Sequence, residues 1–164
     1  MNSNRALFLR FVAQTSPHSL QFEIERAEGV WFYDKEGKPF LDLVSGVSVS
    51  ALGHGHPAVV DAVKTQAEAY MHTMVYGEFV QSPQVSYAEW LVRRLPETLD
   101  NVFFVNSGSE AIDGAIKLAK RVTGRAEIRA FHHAYHGGTC GALNLLGSEQ
   151  ARSGFFPCCP VSSI

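Results

Sequence analysis

NVFFVNSGSEAIDGAIKLAKRVTG, residues 101–124, is the stretch on which the reading of this chain turns. Asn101 to Val105 is an apolar run of strand length. Asn106-Ser107-Gly108-Ser109 follows, and none of these side chains is large enough to keep an anion from the backbone. From Glu110 onward Ile112, Ala115, Ile116, Ala119 and Val122 recur at helical spacing, and Gly124 stands where a helix stop is expected. The first turn of a helix carries unpaired N–H groups at the positive end of its dipole. A strand that ends in such a turn, with serine hydroxyls beside those groups, is suited to hold a phosphate.

A plainer reading stands beside it. Ser107 or Ser109 can simply cap the helix, with Glu110 as a first-turn carboxylate favoured by the dipole. The turn is not a Walker loop, because no Gly-Lys-Ser/Thr ends it. It is not the G-x-G-x-x-G dinucleotide fingerprint either, because Gly108 and Gly114 have the wrong spacing.

Composition narrows the class. At 164 residues, 46% hydrophobic and 18% charged, the chain reads as an ordinary globular sequence long enough for a substantial core. The net charge is −2 and no Lys/Arg block is present, which argues against nucleic acid or an anionic membrane as partner. No apolar run reaches membrane-spanning length. The N-terminal MNSNRALFLRFVAQTS is broken by Arg10 and lacks a signal-peptide layout, so a cytoplasmic address is expected. Cys140, Cys158 and Cys159 are odd in number, with two adjacent, and read as reduced thiols rather than a disulfide framework.

Upstream of the central stretch, residues 1–20 read as a helical or irregular lead-in ended by Pro17. Three short strands are then predicted: Phe22–Ala27, Val30–Asp34 and Pro39–Leu43. Turns at Glu28-Gly29 and Lys35–Lys38 join them into a small antiparallel meander, most simply a structural edge sheet. Ser45 to Pro57 is rich in Gly and Ser and suits a surface over a ligand; His54 and His56 within it read as loop and cap residues before they read as metal ligands. Pro57 opens a helix, 72–82 is a loop with aromatics, and Ser82-Pro83 caps and opens a further helix that stops near Pro96. The expected division is an N-terminal segment with the meander, 1–55, and the start of a larger domain, 56–164.

After the central helix, Ala126 to Phe131 is a second strand candidate. Strand, helix and strand imply a right-handed crossover and a parallel sheet. His132-His133-Ala134-Tyr135-His136-Gly137-Gly138-Thr139 follows at the carboxyl end of that strand, the rim where open α/β sheets gather their ligands. Ser107-Gly108-Ser109 would lie on the same rim. A phosphate cradle beside an aromatic face points to one ligand with a phosphate and a flat ring. The competing reading is zinc on His132, His133, His136 and Cys140, although the spacing matches no established zinc pattern.

Four stretches together resemble the class III aminotransferases, the ornithine/acetylornithine/4-aminobutyrate type. They are Gly29-Val30-Trp31 with Tyr33-Asp34 and Gly37; Asp42 through Gly53-His54 and His56-Pro57; Asn106–Ala111 with Ala115-Ile116-Lys117; and Tyr135-His136-Gly137. The resemblance spans nearly all of residues 20–160. It implies an α/β fold, the N-terminal part of the aspartate-aminotransferase-like fold (PLP fold type I), with the small meander and a truncated, mainly parallel large domain. It implies pyridoxal 5′-phosphate as cofactor: Gly108 and Ser109 at its phosphate with Ser107 close by, Tyr135 stacked on its ring and His136 flanking it. Val47 would be a wall residue on the substrate side, and the family's habit implies a homodimer acting on an amine or ω-amino acid and a 2-oxo acid.

Two positions depart from the family pattern. Acetylornithine and ornithine enzymes of the family carry an Arg directly after the His-Gly pair, where it grips a substrate carboxylate; here that residue is Gly138, which cannot make a bidentate contact. The family's Schiff-base lysine falls at none of Lys35, Lys38, Lys64, Lys117 or Lys120. The chain therefore reads as the front part of a longer enzyme, inactive alone, with strand edges and apolar helix faces left uncovered. The alternatives are a non-catalytic phosphate-binding or assembly piece and, behind it, the zinc module.

Overall fold

A computed structural model describes residues 3–74 and 77–155 of the chain. Cys158, Cys159 and the closing Val161–Ile164 lie outside the described residues, as do Val75 and Tyr76 of the aromatic loop. The chain divides into two compact units, Met1–Phe79 and Val80–Ile164.

The first unit opens with α1 (Asn4–Phe11), capped by the Ser3 hydroxyl on the Ala6 N–H. The meander follows as β1 (Arg26–Glu28), β2 (Trp31–Tyr33) and β3 (Pro39–Leu41), antiparallel in that order and shorter than the sequence predicts. Its register sets Ala27 opposite Phe32 and Phe32 opposite Phe40, so one face carries a cross-strand apolar row. Phe22 meets Phe40 edge-on at 4.5 Å and the His54 ring lies 4.8 Å from Phe32, so both rings cover that face.

The turn between β1 and β2 is tied to a later loop. Gly29 and His54 exchange both backbone bonds, at 2.9 and 2.8 Å. A Cβ on Gly53 would stand 3.0 Å from the Gly29 carbonyl oxygen, and its φ of +82° is left-handed, so both space and conformation call for glycine there. Between β3 and this bridge lies α2 (Ser45–Ser48), a single turn whose φ angles are all positive: 53° at Ser45, 60° at Gly46, 64° at Val47 and 63° at Ser48. Non-glycine residues reach this region at a cost of roughly 1–2 kcal/mol each, and a β-branched Val is among the least suited. α3 (Pro57–Ala69) then starts with Pro at its first position, as the sequence predicts.

The second unit contains α4 (Ser82–Val92), α5 (Gly108–Thr123), α6 (Cys140–Leu143) and α7 (Glu149–Arg152). Gln81 rather than Ser82 is the extended residue before α4, and no side chain caps that end; Ser82 sits already inside, next to Pro83. α5 closes as read, with Gly124 at φ 68° and its N–H on the Lys120 carbonyl.

The parallel pairing expected between 101–105 and 126–131 is not formed among the described residues. Both segments run outside any β-ladder. An apolar run becomes a strand only when a second backbone accepts its bonds, and no described segment lies in that place. Instead the first segment leans on helices: a Cβ on Gly114 of α5 would touch the Phe103 ring at 3.8 Å, and the Phe104 ring is 6.0 Å from that of Tyr87 on α4.

The core is correspondingly small. Among the described residues only Ala142 and Leu146 are buried apolar side chains, whereas length alone predicts a substantial interior. α4 and α5 carry apolar residues at helical spacing, but the described contacts, α6 on α5 and Phe104 beside Tyr87, cover them only in part. Phe103 and Phe131, placed by the sequence in buried strands, are 81% and 88% exposed.

Candidate active site

The start of α5 is built from its own sequence. Ser107 is the cap: its Oγ accepts the Glu110 N–H at 3.2 Å. Glu110 reaches back, and its Oε2 accepts the Asn106 N–H at 2.7 Å. This is the reciprocal logic of a capping box, except that the carboxylate accepts the N–H one residue upstream of the cap rather than the cap's own. The plainer reading thus holds for the Ser107 oxygen and for Glu110. It does not use up the turn, because among the described residues the N–H groups of Gly108 and Ser109 have no acceptor.

Ser109 faces the second motif. Its Oγ accepts the Gly138 N–H at 3.2 Å, a bond between residues 29 apart in sequence. Gly137 lies flat against the same residue: a Cβ there would fall 1.8 Å from Ser109 Oγ and 3.0 Å from its Cα, and φ is +118°. Only a glycine lets this loop come so close. The far side of the loop is also pinned. Gly147 donates its N–H to the Ala134 carbonyl at 2.9 Å, and a Cβ on Gly147 would strike the His133 nitrogen at 2.1 Å. α6 sits on α5 through Gly141, whose backbone packs on Asp113 and Ile116.

The loop from His133 to Gly138 is therefore held between the start of α5 and the turn after α6. Tyr135 is 80% exposed, so its ring is free to take a flat partner, and His136 is half-buried. A Cβ on Gly108 or on Gly138 would meet no atom within 4 Å, so the space in front of the helix start is open.

Both serines bond as acceptors here. A hydroxyl can accept and donate together, so Ser107 and Ser109 keep their O–H protons for an oxygen outside the chain. With the two N–H groups this makes four donors at the positive end of a sixteen-residue helix. The donor set and the glycine-made gap fit a phosphate monoester carried on an aromatic ring.

His132, His133, His136 and Cys140 do not form the zinc alternative. Among the described residues no set of three or more His, Cys, Asp or Glu side chains could hold a metal ion. No helix among them is long and apolar enough to cross a membrane.

Val47 belongs to the first unit, in the left-handed turn α2, with its side chain 81% exposed. Beside it lies a pair that the sequence reading missed. Asp42 Oδ1 accepts the N–H groups of Val44 and Ser45 at 2.9 and 2.8 Å, and its Oδ2 accepts Nε2–H of His54 at 2.7 Å. The carboxylate is 3% exposed and its partner ring 20%. The bond from His54, then the Ser45 N–H, hold the Asp42 carboxyl below its ordinary range. An Asp leaving a strand two residues ahead of an acceptor-seeking loop is the signature of an Asx turn, and it was present in the sequence.

Known proteins resemble the chain over most of its length. The family described as aminotransferase class-III matches residues 11–163. An acetylornithine aminotransferase of Methanopyrus kandleri is 43% identical over 135 residues, covering 81% of this chain and 34% of that protein. Among solved structures, an adenosylmethionine-8-amino-7-oxononanoate aminotransferase from Methanocaldococcus jannaschii matches with a TM-score of 0.84 at 29% identity. That match covers 93% of this chain and 37% of the other. A taurine:2-oxoglutarate aminotransferase from Bifidobacterium kashiwanohense, in complex with PLP and glutamate, matches with a TM-score of 0.75 at 35% identity, over 88% of this chain and 33% of its own. The chain spans about a third of the length of these relatives and has their fold over that part.

Proposed function

We propose, from the premise that this chain belongs to the class-III aminotransferases, that its second unit binds pyridoxal 5′-phosphate. The reaction served is transfer of an amino group from an amine or ω-amino acid to a 2-oxo acid. The observation that carries the reading is the 3.2 Å bond from the Gly138 N–H to Ser109 Oγ. It ties the donor-rich start of α5 to the loop that presents Tyr135.

In this reading the N–H groups of Gly108 and Ser109 and the hydroxyl protons of Ser107 and Ser109 take the phosphate oxygens. Gly137 keeps the loop close to the helix. Tyr135 stacks its ring on the pyridine face and His136 flanks it. Bound there, pyridoxal phosphate would supply the electron sink that amino transfer needs. The cradle brings no lysine of its own helix to that point. Lys117 stands eight residues beyond Ser109, about 12 Å along the axis at 1.5 Å per residue, and Lys120 is further still. The reaction therefore requires a Schiff-base lysine other than these two.

The donor is read from Gly138. A glycine offers no guanidinium for a substrate carboxylate at this position, which favours amines and ω-amino acids over acetylornithine. Val47 is proposed as a substrate-side wall residue and a homodimer as the assembly, both on the family resemblance, with the cytoplasm as the proposed setting. A division into an N-terminal segment, 1–55, and the start of the cofactor-binding domain, 56–164, is proposed on the same ground.

Equilibrium dialysis of the chain against pyridoxal phosphate tests the reading. Binding should saturate, be displaced by inorganic phosphate, and weaken about tenfold in Ser109→Ala, the worth of one charge-assisted hydrogen bond. Binding that ignores inorganic phosphate would rule out the cradle.

A further inference from the structure

We propose that Asp42 is a positioning residue: its carboxylate, pinned by His54, holds Ser45–Ser48 in the left-handed turn and so fixes where Val47 stands. The proposal rests on the reading of Val47 as a wall of the substrate site.

The turn is an unlikely conformation for its sequence. Ser45, Val47 and Ser48 all lie at positive φ, in a region that non-glycine residues reach only when their surroundings impose it. The hydrogen bonds around it impose it. One carboxylate oxygen takes the two N–H groups that lead into the turn, Val44 and Ser45. Within the turn the Ser48 and Val49 N–H groups return to the carbonyls of Val44 and Ser45 at 3.0 and 2.8 Å.

The other carboxylate oxygen anchors the arrangement to the sheet. His54 holds it at 2.7 Å, and His54 is itself fixed twice, by its backbone bridge to Gly29 and by its ring against Phe32. The chain of support therefore runs from β1 and β2 through His54 and Asp42 to the turn.

Among the described residues no packing places Val47. Its side chain is 81% exposed, so packing does not locate it, and its position is set by the backbone alone. A residue that must present an apolar surface at a defined point, without neighbours of its own, needs a rigid turn beneath it. Strain held by an over-determined network is a common mark of such places.

The test uses the full chain and two kinds of readout. Site-resolved amide exchange should show the Val44 and Ser45 N–H groups exchanging about tenfold faster in Asp42→Ala, as expected when each loses its acceptor. Asp42→Asn should restore protection, because its amide oxygen can still accept both N–H groups. His54→Ala keeps the acceptor and removes the pin, so it gives an intermediate increase and serves where Asp42→Ala fails to fold. Unchanged exchange in both alanine variants overturns the clamp.

The second readout is donor selection by the pyridoxal-phosphate-loaded protein. Val47→Ala should alter the ratio of dissociation constants for bulky and small amines, read by calorimetry, and Asp42→Ala should alter it in the same direction with affinity for the smallest amine spared. If Val47→Ala leaves the ratio unchanged, the wall reading fails and the positioning role fails with it. A ratio that moves in Val47→Ala but not in Asp42→Ala leaves the wall standing and overturns the positioning role alone.

Discussion

Gly137→Ala is the substitution that most directly asks whether the helix start and the Tyr135 loop act as one site. A methyl at this position would lie 1.8 Å from Ser109 Oγ, 2.7 Å from its Cβ and 3.0 Å from its Cα. The backbone there, at φ +118°, is nearly reserved for glycine and would cost about 1–3 kcal/mol with a side chain. Overpacking would add about 1–3 kcal/mol if nothing moved. A cheaper response exists: the loop swings away and forfeits the Gly138–Ser109 bond, about 1 kcal/mol, together with the placing of Tyr135. Affinity for pyridoxal phosphate is then expected to fall roughly ten- to a hundredfold, or about 1.4–2.8 kcal/mol. Inorganic phosphate needs only the helix start and should lose much less. Equilibrium dialysis with each ligand reads both values. Ser109→Gly removes the Oγ and Cβ contacts, so the double variant should bind better than the two single losses added together predict. Gly137→Ala binding pyridoxal phosphate as well as the parent, or strict additivity in the double variant, would refute the shared site.

Other perturbations follow from single contacts. Ser107→Ala removes the cap of α5 and should lower stability by about 1 kcal/mol, read as a reduced denaturant midpoint of the helical circular dichroism signal. Gly138→Arg meets open space at its Cβ and leaves the backbone donor to Ser109 in place, so the chain should fold normally. It should tighten binding of a carboxylate-bearing amine to the pyridoxal-phosphate-loaded chain, relative to a simple amine, by about tenfold or more, the worth of a charge-assisted pair, as read by calorimetry. The Asp42 carboxyl is held below its ordinary 3.8, first by His54. An acid depressed in the folded state stabilises above its unfolded pKa and loses that stabilisation as pH falls through the folded one. The amide shifts of Val44 and Ser45 should therefore stay constant above 3.8 and change with a midpoint below it; a midpoint at or above the ordinary value contradicts the clamp.

What the sequence disclosed followed the range of the forces involved. α5 was readable from Ser107 to Gly124 because cap, period and stop are local. The meander was readable because its turns, Gly29 and Asp34–Lys38, are local too. Strand character at 101–105 and 126–131 was inferred from apolarity, which reports a wish to be covered and not the presence of a neighbour. Without a described backbone to accept their bonds, these segments stay outside any ladder and mostly exposed. The Asp42–His54 pair escaped because its members are twelve apart and each has an ordinary local explanation. The left-handed turn escaped because nothing in Ser-Gly-Val-Ser asks for three non-glycine residues at positive φ.

Two carboxylates in this chain act on the backbone in the same way, and the difference between them decides which loop can bind an anion. Asp42 accepts the N–H groups of Val44 and Ser45 and leaves a negative, nearly buried group in their place. The two N–H groups that lead into that loop are taken, and a phosphate brought to it would meet a charge of its own sign. Glu110 takes a single N–H, that of Asn106, which lies before the helix. The Gly108 and Ser109 N–H groups, one and two residues inside α5, stay open to an outside acceptor. The carboxylate is turned to the upstream side of the cap, and the macrodipole with four unclaimed donors faces the open space before Gly108. A glycine-rich appearance would have ranked residues 45–57 and 106–109 alike as ligand loops. The charge already seated against Val44 and Ser45 separates them, and the proposed phosphate site rests on the open N–H groups at the start of α5.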